Sequence, residues 1–180
     1  MNKLLNIAIV LLVFSCKTPE ARRPISVTSG SFIDASVERN KKLNAKEKTS
    51  IEKLMTLEKK DYIASESGFW YYYNTKVEID SLKTPDFGDV INYNYNIKAL
   101  NGSVIYSTED IKTQTYAMDK EELFTGLREG LKLMKTGETV TFLFPSQKAY
   151  GYYGDENKIG RNTPLICEVT VNSITLNQNH

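Results

Sequence analysis

The sequence predicts an α+β fold in which an antiparallel β-sheet of about five strands is wrapped on one short α-helix, with a helical arm before it. Segments in which apolar and polar residues alternate recur between residues 69 and 174, and this is the period of strands with one buried face. The segment 118–134 instead spaces its apolar residues as one face of a helix. A Lys- and Glu-rich segment, 36–65, also has a helical period, and we expect it to precede the sheet as an arm.

Composition excludes some classes of function. The chain has 180 residues, of which 41% are hydrophobic, and this suffices for one domain with a sizeable core plus appendages. Its formal net charge is +1, so its charge does not indicate a nucleic-acid partner. The two cysteines, Cys16 and Cys167, and the single histidine, His180, do not form a metal-ligand pattern. We therefore expect no metal and no cofactor.

The first residues are typical of a bacterial lipoprotein signal peptide, which we assign to residues 1–15. Lys3 precedes an apolar run, 4–14, that is too short to span a bilayer. The Ser15-Cys16 pair after it resembles a lipidation site, at which the cysteine is acylated and becomes the N-terminus. We expect a cell-envelope protein that is anchored to a membrane through Cys16, most simply the outer membrane, and faces the periplasm. A plain secretory signal or a membrane anchor is the alternative.

A tether and an arm are predicted between this anchor and the sheet. Residues 16–35 contain two prolines and several Ser and Thr residues, which are typical of a flexible tether. The helical arm, 36–65, has a narrow apolar face. That face could dock on the domain or pair with another protomer, or the arm could hold the domain off the membrane. Basic residues outnumber acidic ones in this part of the chain, which also suits a segment near anionic lipid or an acidic partner.

The sheet domain is predicted for residues 66–180. A first strand, 69–73, is aromatic on both faces, and a second, 90–100, alternates apolar and polar residues. The Asn101-Gly102 pair is a strong signal for a type I′ hairpin turn. The segment 103–107 then returns as the third strand.

A helix, a strand and a final strand complete the predicted domain. Asp119 and Glu122 have the spacing of a capping box, so the helix is expected to begin at Asp119. Gly137 follows the last apolar turn and suits a left-handed C-terminal cap. Alternation then predicts a half-buried strand at 139–144 and a last strand at 165–174, which together with the first three give an antiparallel roll around one helix.

The segment 126–151 reads GLREGLKLMKTGETVTFLFPSQKAYG. It resembles the helix-to-loop signature of FKBP-type peptidyl-prolyl isomerases, a Gly-aromatic-x-Glu-Gly helix followed by Met-x-x-Gly-Glu, a proline and Ala-Tyr-Gly. The resemblance covers about 110 of the 180 residues. It implies an FKBP-like fold, isomerase activity on X-Pro bonds and proline-containing polypeptide clients.

Isomerisation of an X-Pro bond makes and breaks no covalent bond. The barrier to rotation is about 18–20 kcal/mol because the twisted amide loses its resonance. A catalyst must therefore bind the twisted amide better than either planar form, through an apolar pocket and a few hydrogen-bond donors. Such a site does not need a catalytic triad or a metal.

The resemblance also implies which residues form this site. Catalytic positions are Tyr95, Phe124 and Tyr150, the last of which matches the tyrosine of Ala-Tyr-Gly, whose hydroxyl binds the ligand carbonyl. Substrate-binding positions are Ile105, Tyr106, Tyr116, Leu123, Leu127, Ile159 and Cys167. Core packing is the alternative role for each aromatic residue.

Several residues depart from the family pattern. The family's pocket Asp is replaced by Tyr106, the aromatic floor residue by Leu127, and a pocket Phe by Cys167. Three hypotheses therefore remain: an active prolyl isomerase, an FKBP-like binding module or chaperone with little turnover, and a structural lipoprotein whose pocket is filled by its own side chains.

The order of signal peptide, lipid anchor, Lys-rich arm and FKBP-like domain is similar to that of gliding-motility-associated isomerase lipoproteins of Bacteroidetes. This resemblance implies partners among envelope motility or secretion proteins.

Overall fold

The computed structural model describes residues 29–177, and the side chains of residues 33–177. The predicted signal peptide, Cys16, most of the predicted tether and His180 lie outside the described residues. The chain divides into two units, Met1–Glu38 and Arg39–His180. In the first unit the structure describes residues 29–38, which are helical, and the sheet belongs to the second unit.

One long helix precedes a sheet and two short helices. In chain order the elements are α1 (Ser29–Glu58), β1 (Ile63–Ala64), β2 (Trp70–Thr75), β3 (Val90–Tyr95), β4 (Ile97–Ala99), β5 (Val104–Tyr106), α2 (Thr108–Ile111), β6 (Gln114–Ala117), α3 (Thr125–Leu131), β7 (Thr139–Phe144), a 3-10 turn (Ser146–Lys148) and β8 (Leu165–Thr175). None of the helices within residues 29–177 has the length and apolar character needed to cross a membrane.

The strands form one antiparallel sheet in the order β1-β2-β7-β8-β3-β6, with β4 pairing with both β5 and β8. The predicted α+β class is confirmed. The described residues contain eight strands instead of about five. The difference arises because the predicted strand 90–100 is interrupted at Asn96, and because β1 and β6 are too short to show an alternating pattern in the sequence.

The hairpin after β4 corrects one prediction. Ala99 accepts a hydrogen bond from the Gly102 N–H and donates one to the Ser103 carbonyl, both at 2.9 Å. Of the two turn residues only Gly102 has a positive φ, 84°, whereas a type I′ turn requires two. The connection is therefore a three-residue loop that ends in a left-handed glycine. The Asn101 side chain supports it by accepting a hydrogen bond from the Ser103 N–H at 3.0 Å.

The helix α3 begins five residues later than the capping-box spacing predicts. Its N-cap is Phe124, and Asp119 instead has a left-handed backbone with φ of 58°. The reason lies in Met118, whose N–H donates to the Asp89 carbonyl at 2.8 Å and whose carbonyl accepts from Gly88 at 2.9 Å. These bonds keep the chain extended through Met118, so a helix cannot start directly after it. The predicted left-handed glycine is present at Gly137, with φ of 86°, although α3 already ends at Leu131.

The main core lies between α3 and one face of the sheet, which we call the inner face. Its buried members include Leu127 and Leu131 of α3, Phe142 and Phe144 of β7, and the inward residues of β8. The alternation predicted for the last strand is correct, since Leu165, Cys167, Val169 and Val171 are all buried there.

The part of α1 that belongs to the second unit packs on the opposite, outer face of the sheet. Ile51 is fully buried against Leu143 and Ile166, with Trp70 and Leu54 packed around them. Of the roles left open for the arm, docking on the domain is therefore the one that the structure displays. This contact also corrects the prediction that β7 has one buried face, because Leu143 is buried on the other. The helix begins at Ser29, seven residues before the expected arm, so the end of the predicted tether is helical.

Candidate active site

All ten residues predicted to form the site belong to the main core on the inner face of the sheet or pack against it. Four of them are buried in the main core and six are partly buried and packed against it. The buried four are Tyr116, Leu127, Ile159 and Cys167; the partly buried six are Tyr95, Ile105, Tyr106, Leu123, Phe124 and Tyr150. The fold therefore brings together residues that are up to 72 positions apart in sequence, counting from Tyr95 to Cys167.

The floor of the site consists of the buried side chains of Leu127, Ile159 and Cys167. Burial raises the pKa of the Cys167 thiol, so the thiol remains uncharged at neutral pH. The floor is apolar, as a site for a proline ring requires.

Two glycines allow α3 to lie close to β7 and to the 3-10 turn that follows it. A Cβ on Gly126 would stand 2.6 Å from Cδ1 of Phe144 and 2.7 Å from the Lys148 carbonyl oxygen. A Cβ on Gly130 would stand 2.9 Å from Cε1 of Phe142. All three distances are below van der Waals contact, so only glycine at these two positions permits the approach.

Aromatic rings form the rim above the floor. The ring centroids of Phe124 and Tyr150 are 5.2 Å apart, and those of Phe124 and Phe144 are 5.5 Å apart in an edge-on arrangement. On the other side, Tyr95 lies 5.6 Å from Tyr93. These separations are typical of favourable aromatic pairs, so the rim is held by mutual packing of its rings.

Three tyrosine hydroxyls remain available at this rim. Within residues 33–177 the hydroxyls of Tyr93, Tyr95 and Tyr150 make no hydrogen bond, and no buried side-chain polar atom of that region lacks a partner. The three hydroxyls therefore reach solvent. Burial raises the pKa of Tyr150 to about 12 and also raises the pKa values of Tyr93 and Tyr95. At neutral pH all three hydroxyls are therefore uncharged and can donate hydrogen bonds. Tyr93 was predicted from the sequence only as a strand residue and not as part of the site.

A second unpredicted residue, Asp155, stands beside Tyr106. Its carboxylate accepts a hydrogen bond of 2.5 Å from the Tyr106 hydroxyl and others from the backbone N–H groups of Ile159 and Asn157 at 2.7 and 3.0 Å. Burial acts to raise the pKa of Asp155, but these hydrogen bonds outweigh it and hold the pKa below its usual value. The hydrogen bond to Asp155 in turn raises the pKa of Tyr106. A carboxylate thus lies next to the position where the family pattern has its Asp, supplied from another part of the chain.

Tyr116 differs from the other predicted aromatics because the backbone engages its hydroxyl. The hydroxyl donates to the Glu121 carbonyl at 3.2 Å and accepts from the Asp119 N–H at 3.3 Å. Tyr116 is also almost fully buried. These contacts fix the loop that leads into α3 and so position Leu123 and Phe124.

An open groove adjoins the aromatic rim. It has a volume of about 520 Å³ and is lined by Glu121, Glu122, Leu123, Phe124, Arg128 and Tyr150. Its lining combines two carboxylates and a guanidinium group with a leucine and two aromatic rings. Within the part of the chain that the structure describes, no three His, Cys, Asp or Glu residues are grouped so that they could hold a metal ion.

The described residues thus form an antiparallel sheet wrapped on a short helix, with an apolar floor, an aromatic rim and tyrosine donors on the inner face. The sequence profile described as FKBP-type peptidyl-prolyl cis-trans isomerase matches residues 82–172, about half of the chain. The chain belongs to this family.

Two curated relatives carry the same family description. A probable FKBP-type peptidyl-prolyl cis-trans isomerase of Haemophilus influenzae is 29% identical over 112 residues, which are 62% of this chain and 45% of the relative. The probable isomerase FkpA of Neisseria meningitidis is 29% identical over 97 residues, 54% of this chain and 35% of the relative. The matches thus span less than half the length of these relatives.

Two crystal structures share the fold. A peptidyl-prolyl cis-trans isomerase of Pseudomonas syringae superposes with a TM-score of 0.61 at 21% identity, covering 75% of this chain and 95% of that one. FkpA of Escherichia coli superposes with a TM-score of 0.60 at 23% identity, covering 98% of this chain and 83% of that one.

Proposed function

We propose that this protein catalyses cis-trans isomerisation of X-Pro bonds in polypeptide clients. The observation that supports this proposal most directly is the rim of Tyr95, Phe124 and Tyr150 above an apolar floor, with tyrosine hydroxyls that have no partner among the described residues. The proline ring would lie against the partly buried rings of Phe124 and Tyr150, with Leu127 and Cys167 buried beneath them, and the Tyr150 hydroxyl would donate to the carbonyl of the residue that precedes proline.

Two effects lower the barrier in this arrangement. The apolar floor removes water from the amide, which disfavours the charge-separated planar resonance form relative to the twisted form. A donor such as the Tyr150 hydroxyl then selects the orientation of the carbonyl in the twisted amide. Both effects act without a charged group at the reacting bond.

The test is the rate at which a Leu-Pro peptide equilibrates after a solvent jump, since the uncatalysed reaction takes tens to hundreds of seconds. We expect the full chain to accelerate equilibration and Tyr150→Phe to lower kcat/KM about tenfold, equivalent to about 1.4 kcal/mol. Tyr153→Phe is the matched control, because it removes the same hydroxyl from an exposed ring of the same loop. The thermal midpoints of both variants should match that of the parent.

Two results would contradict this assignment. If Tyr150→Phe keeps full activity but loses about 1 kcal/mol or more of unfolding free energy, Tyr150 is a packing residue. If the parent neither accelerates isomerisation nor binds any proline peptide, the prolyl pocket itself is wrong.

The second candidate is a binding module with little turnover. Leu127 on the floor and Tyr106 beside the pocket support it, because each replaces a residue type of the family pattern. A parent that binds Leu-Pro peptides in the groove of about 520 Å³ without accelerating their isomerisation would establish this candidate instead.

We further propose that the protein acts in the cell envelope, anchored through a lipid on Cys16, on proline-containing envelope clients that include motility or secretion proteins. The support is the apolar run before Ser15-Cys16 in the sequence. Lipid transfer requires a thiol, so Cys16→Ser should abolish partitioning into the detergent phase, while Cys167→Ser should not. If the Cys16→Ser variant still partitions with membranes as the parent does, the lipoprotein assignment is wrong.

A further inference from the structure

A carboxylate of the long helix is buried beneath the loop that carries Tyr150. Glu47 of α1 is only 4% exposed, and its two oxygens accept hydrogen bonds from the Ser146 N–H at 2.8 Å and the Ser146 hydroxyl at 2.7 Å. Ser146 is itself 2% exposed. A second contact, from the Asn44 amide to the Gln147 side chain at 3.3 Å, joins the same helix to the next residue of the loop.

Ser146 is the residue on which the Tyr150 loop closes. Its carbonyl accepts the N–H groups of Ala149 at 3.0 Å and Gly151 at 2.8 Å. Tyr150 lies between these two amides, so the orientation of Ser146 sets where the Tyr150 ring stands. The Gly151 carbonyl continues the chain of contacts by accepting the Asn162 N–H at 2.8 Å.

The energetics make this contact specific. A buried carboxylate is costly unless hydrogen bonds compensate for its lost hydration, and here both oxygens receive a donor. Ser146 is the first residue of the 3-10 turn, so its N–H has no acceptor within the turn and depends on Glu47. Replacing Glu47 with Gln keeps one acceptor, for the Ser146 N–H, but sets an amide NH₂ against the Ser146 hydroxyl. The hydroxyl would then have to accept and its hydrogen would lose its partner, and both bonds would lose the assistance of the carboxylate charge.

We infer that Glu47 is a positioning residue for Tyr150, so that the docked α1 helix sets the geometry of the rim. This inference depends on the proposed isomerase function for its kinetic consequence only. Its structural consequence, that the Ser146 turn loosens when Glu47 is changed, can be measured without any activity.

The experiment compares Glu47→Gln with Glu52→Gln in the full chain. Glu52 lies on the same helix and loses the same charge, but it is exposed and makes only a surface ion pair of 3.8 Å with Lys48. We expect Glu47→Gln to lower kcat about tenfold with little change in KM, as misplacement of a group that acts in the transition state does. Glu52→Gln should behave as the parent. Fluorescence of Trp70, the only tryptophan, reports whether α1 is still docked in each variant.

Two further measurements separate positioning from general stability. In the Glu47→Gln background, adding Tyr150→Phe should lower kcat by less than about twofold, because residues that act through each other are not additive. Amide exchange at Gly151 should be faster in Glu47→Gln and unchanged in Glu52→Gln. If Glu47→Gln does not fold, Ser146→Ala tests the same contact, since it removes the hydroxyl and keeps the Ser146 N–H bond; we expect a kcat loss of about threefold.

Each result decides one claim. If the parent is inactive, the proposed isomerase function fails. Faster amide exchange at Gly151 in Glu47→Gln, but not in Glu52→Gln, would still establish that Glu47 holds the turn. If the parent is active and Glu47→Gln matches Glu52→Gln in both kcat and Gly151 exchange, the positioning role is wrong. Fully multiplicative effects of Glu47→Gln and Tyr150→Phe would also overturn it.

Discussion

Apolar packing alone holds the floor of the site, whereas the rim also depends on hydrogen bonds to carboxylates. The floor residues Leu127 and Cys167 are fixed by apolar packing, and the glycines of α3 let the helix lie close to β7 beside them. The loop that carries Tyr150 is held by two carboxylates instead, with Glu47 bonded to Ser146 near its start and Asp155 bonded within it.

This difference has a physical consequence. Apolar packing contributes most of the unfolding free energy and does not depend on the charge state of any group. Hydrogen bonds to carboxylates contribute less, but they are directional and change with pH. Substitutions on the floor should therefore change stability, whereas substitutions that affect the rim should change activity and pH dependence.

The largest effect is expected from Leu131→Ala on the floor side. Leu131 is fully buried between α3 and the sheet, so the substitution removes packing and leaves a cavity. We expect a loss of about 3 kcal/mol in unfolding free energy by urea denaturation, with kcat per folded molecule unchanged. Leu176→Ala, at a leucine that is 52% exposed, is the control and should lie within about 0.5 kcal/mol of the parent. Equal effects of the two would mean that α3 is not part of the core.

The next effect is expected from Gly126→Ala, which adds one methyl group to the same interface. The new Cβ would collide with Phe144 and the Lys148 carbonyl, whose distances from it would be 2.6 and 2.7 Å. We expect a loss of about 2 kcal/mol, because overpacking outweighs the better helix propensity of alanine. At Gly160 the nearest atom to an added Cβ is 3.6 Å away, so Gly160→Ala should be nearly neutral in the same denaturation experiment. A neutral Gly126→Ala would show that α3 can move away from the sheet at little cost.

The sequence was informative about the floor and less so about the rim. The strand alternation that buries Leu165, Cys167 and Val169 is local, so a period of two residues predicted it correctly. The start of α3 was predicted wrongly, because the bonds between Met118 and residues 88–89 are contacts between distant segments.

The carboxylates around the rim could not be predicted for the same reason. Glu47 and Ser146 are 99 positions apart, and Asp155 and Tyr106 are 49 apart. Glu47 resembles any other charged residue of a Lys- and Glu-rich helix until the fold is known. One local signal for Asp155 did exist, since an aspartate that directly follows a glycine in a loop favours an Asx turn, in which its carboxylate accepts the N–H two residues on.

A smaller effect is expected from Asp155→Asn at the rim. The pKa of Asp155 is lower in the folded protein than in the unfolded chain, so its stabilisation is present above the unfolded pKa, roughly 4, and is lost as the pH falls through the folded pKa. The variant should be less stable than the parent at pH 7 by at most about 1 kcal/mol, because solvent screens this partly exposed group. The difference should disappear at low pH when urea denaturation is repeated there. The neighbouring Glu156→Gln serves as the control, and the same pH dependence in that variant would assign the effect to net charge alone.

The smallest effect is expected from Tyr106→Asp, which places a carboxylate where the family pattern has one. On the sequence alone this substitution should raise activity, and a tenfold gain would correspond to about 1.4 kcal/mol. In the structure the new carboxylate would stand beside Asp155 and lose the hydrogen bond that the tyrosine donates. The Lys158 ammonium group now lies 4.7 Å from the Tyr106 ring centroid and 3.8 Å from Asp110, so Asp110 and the new carboxylate would share it.

We therefore expect Tyr106→Asp to lower kcat/KM on a Leu-Pro peptide by about twofold, a small change because these groups are exposed and screened. Adding Asp155→Asn removes the repulsion, so the double variant should be more active than Tyr106→Asp alone, and this non-additivity is what a double-mutant cycle measures. A tenfold gain from Tyr106→Asp alone would mean that the missing family carboxylate limits turnover. In that case Asp155 does not take the place of the missing family carboxylate, and its role is limited to holding the loop that carries Tyr150.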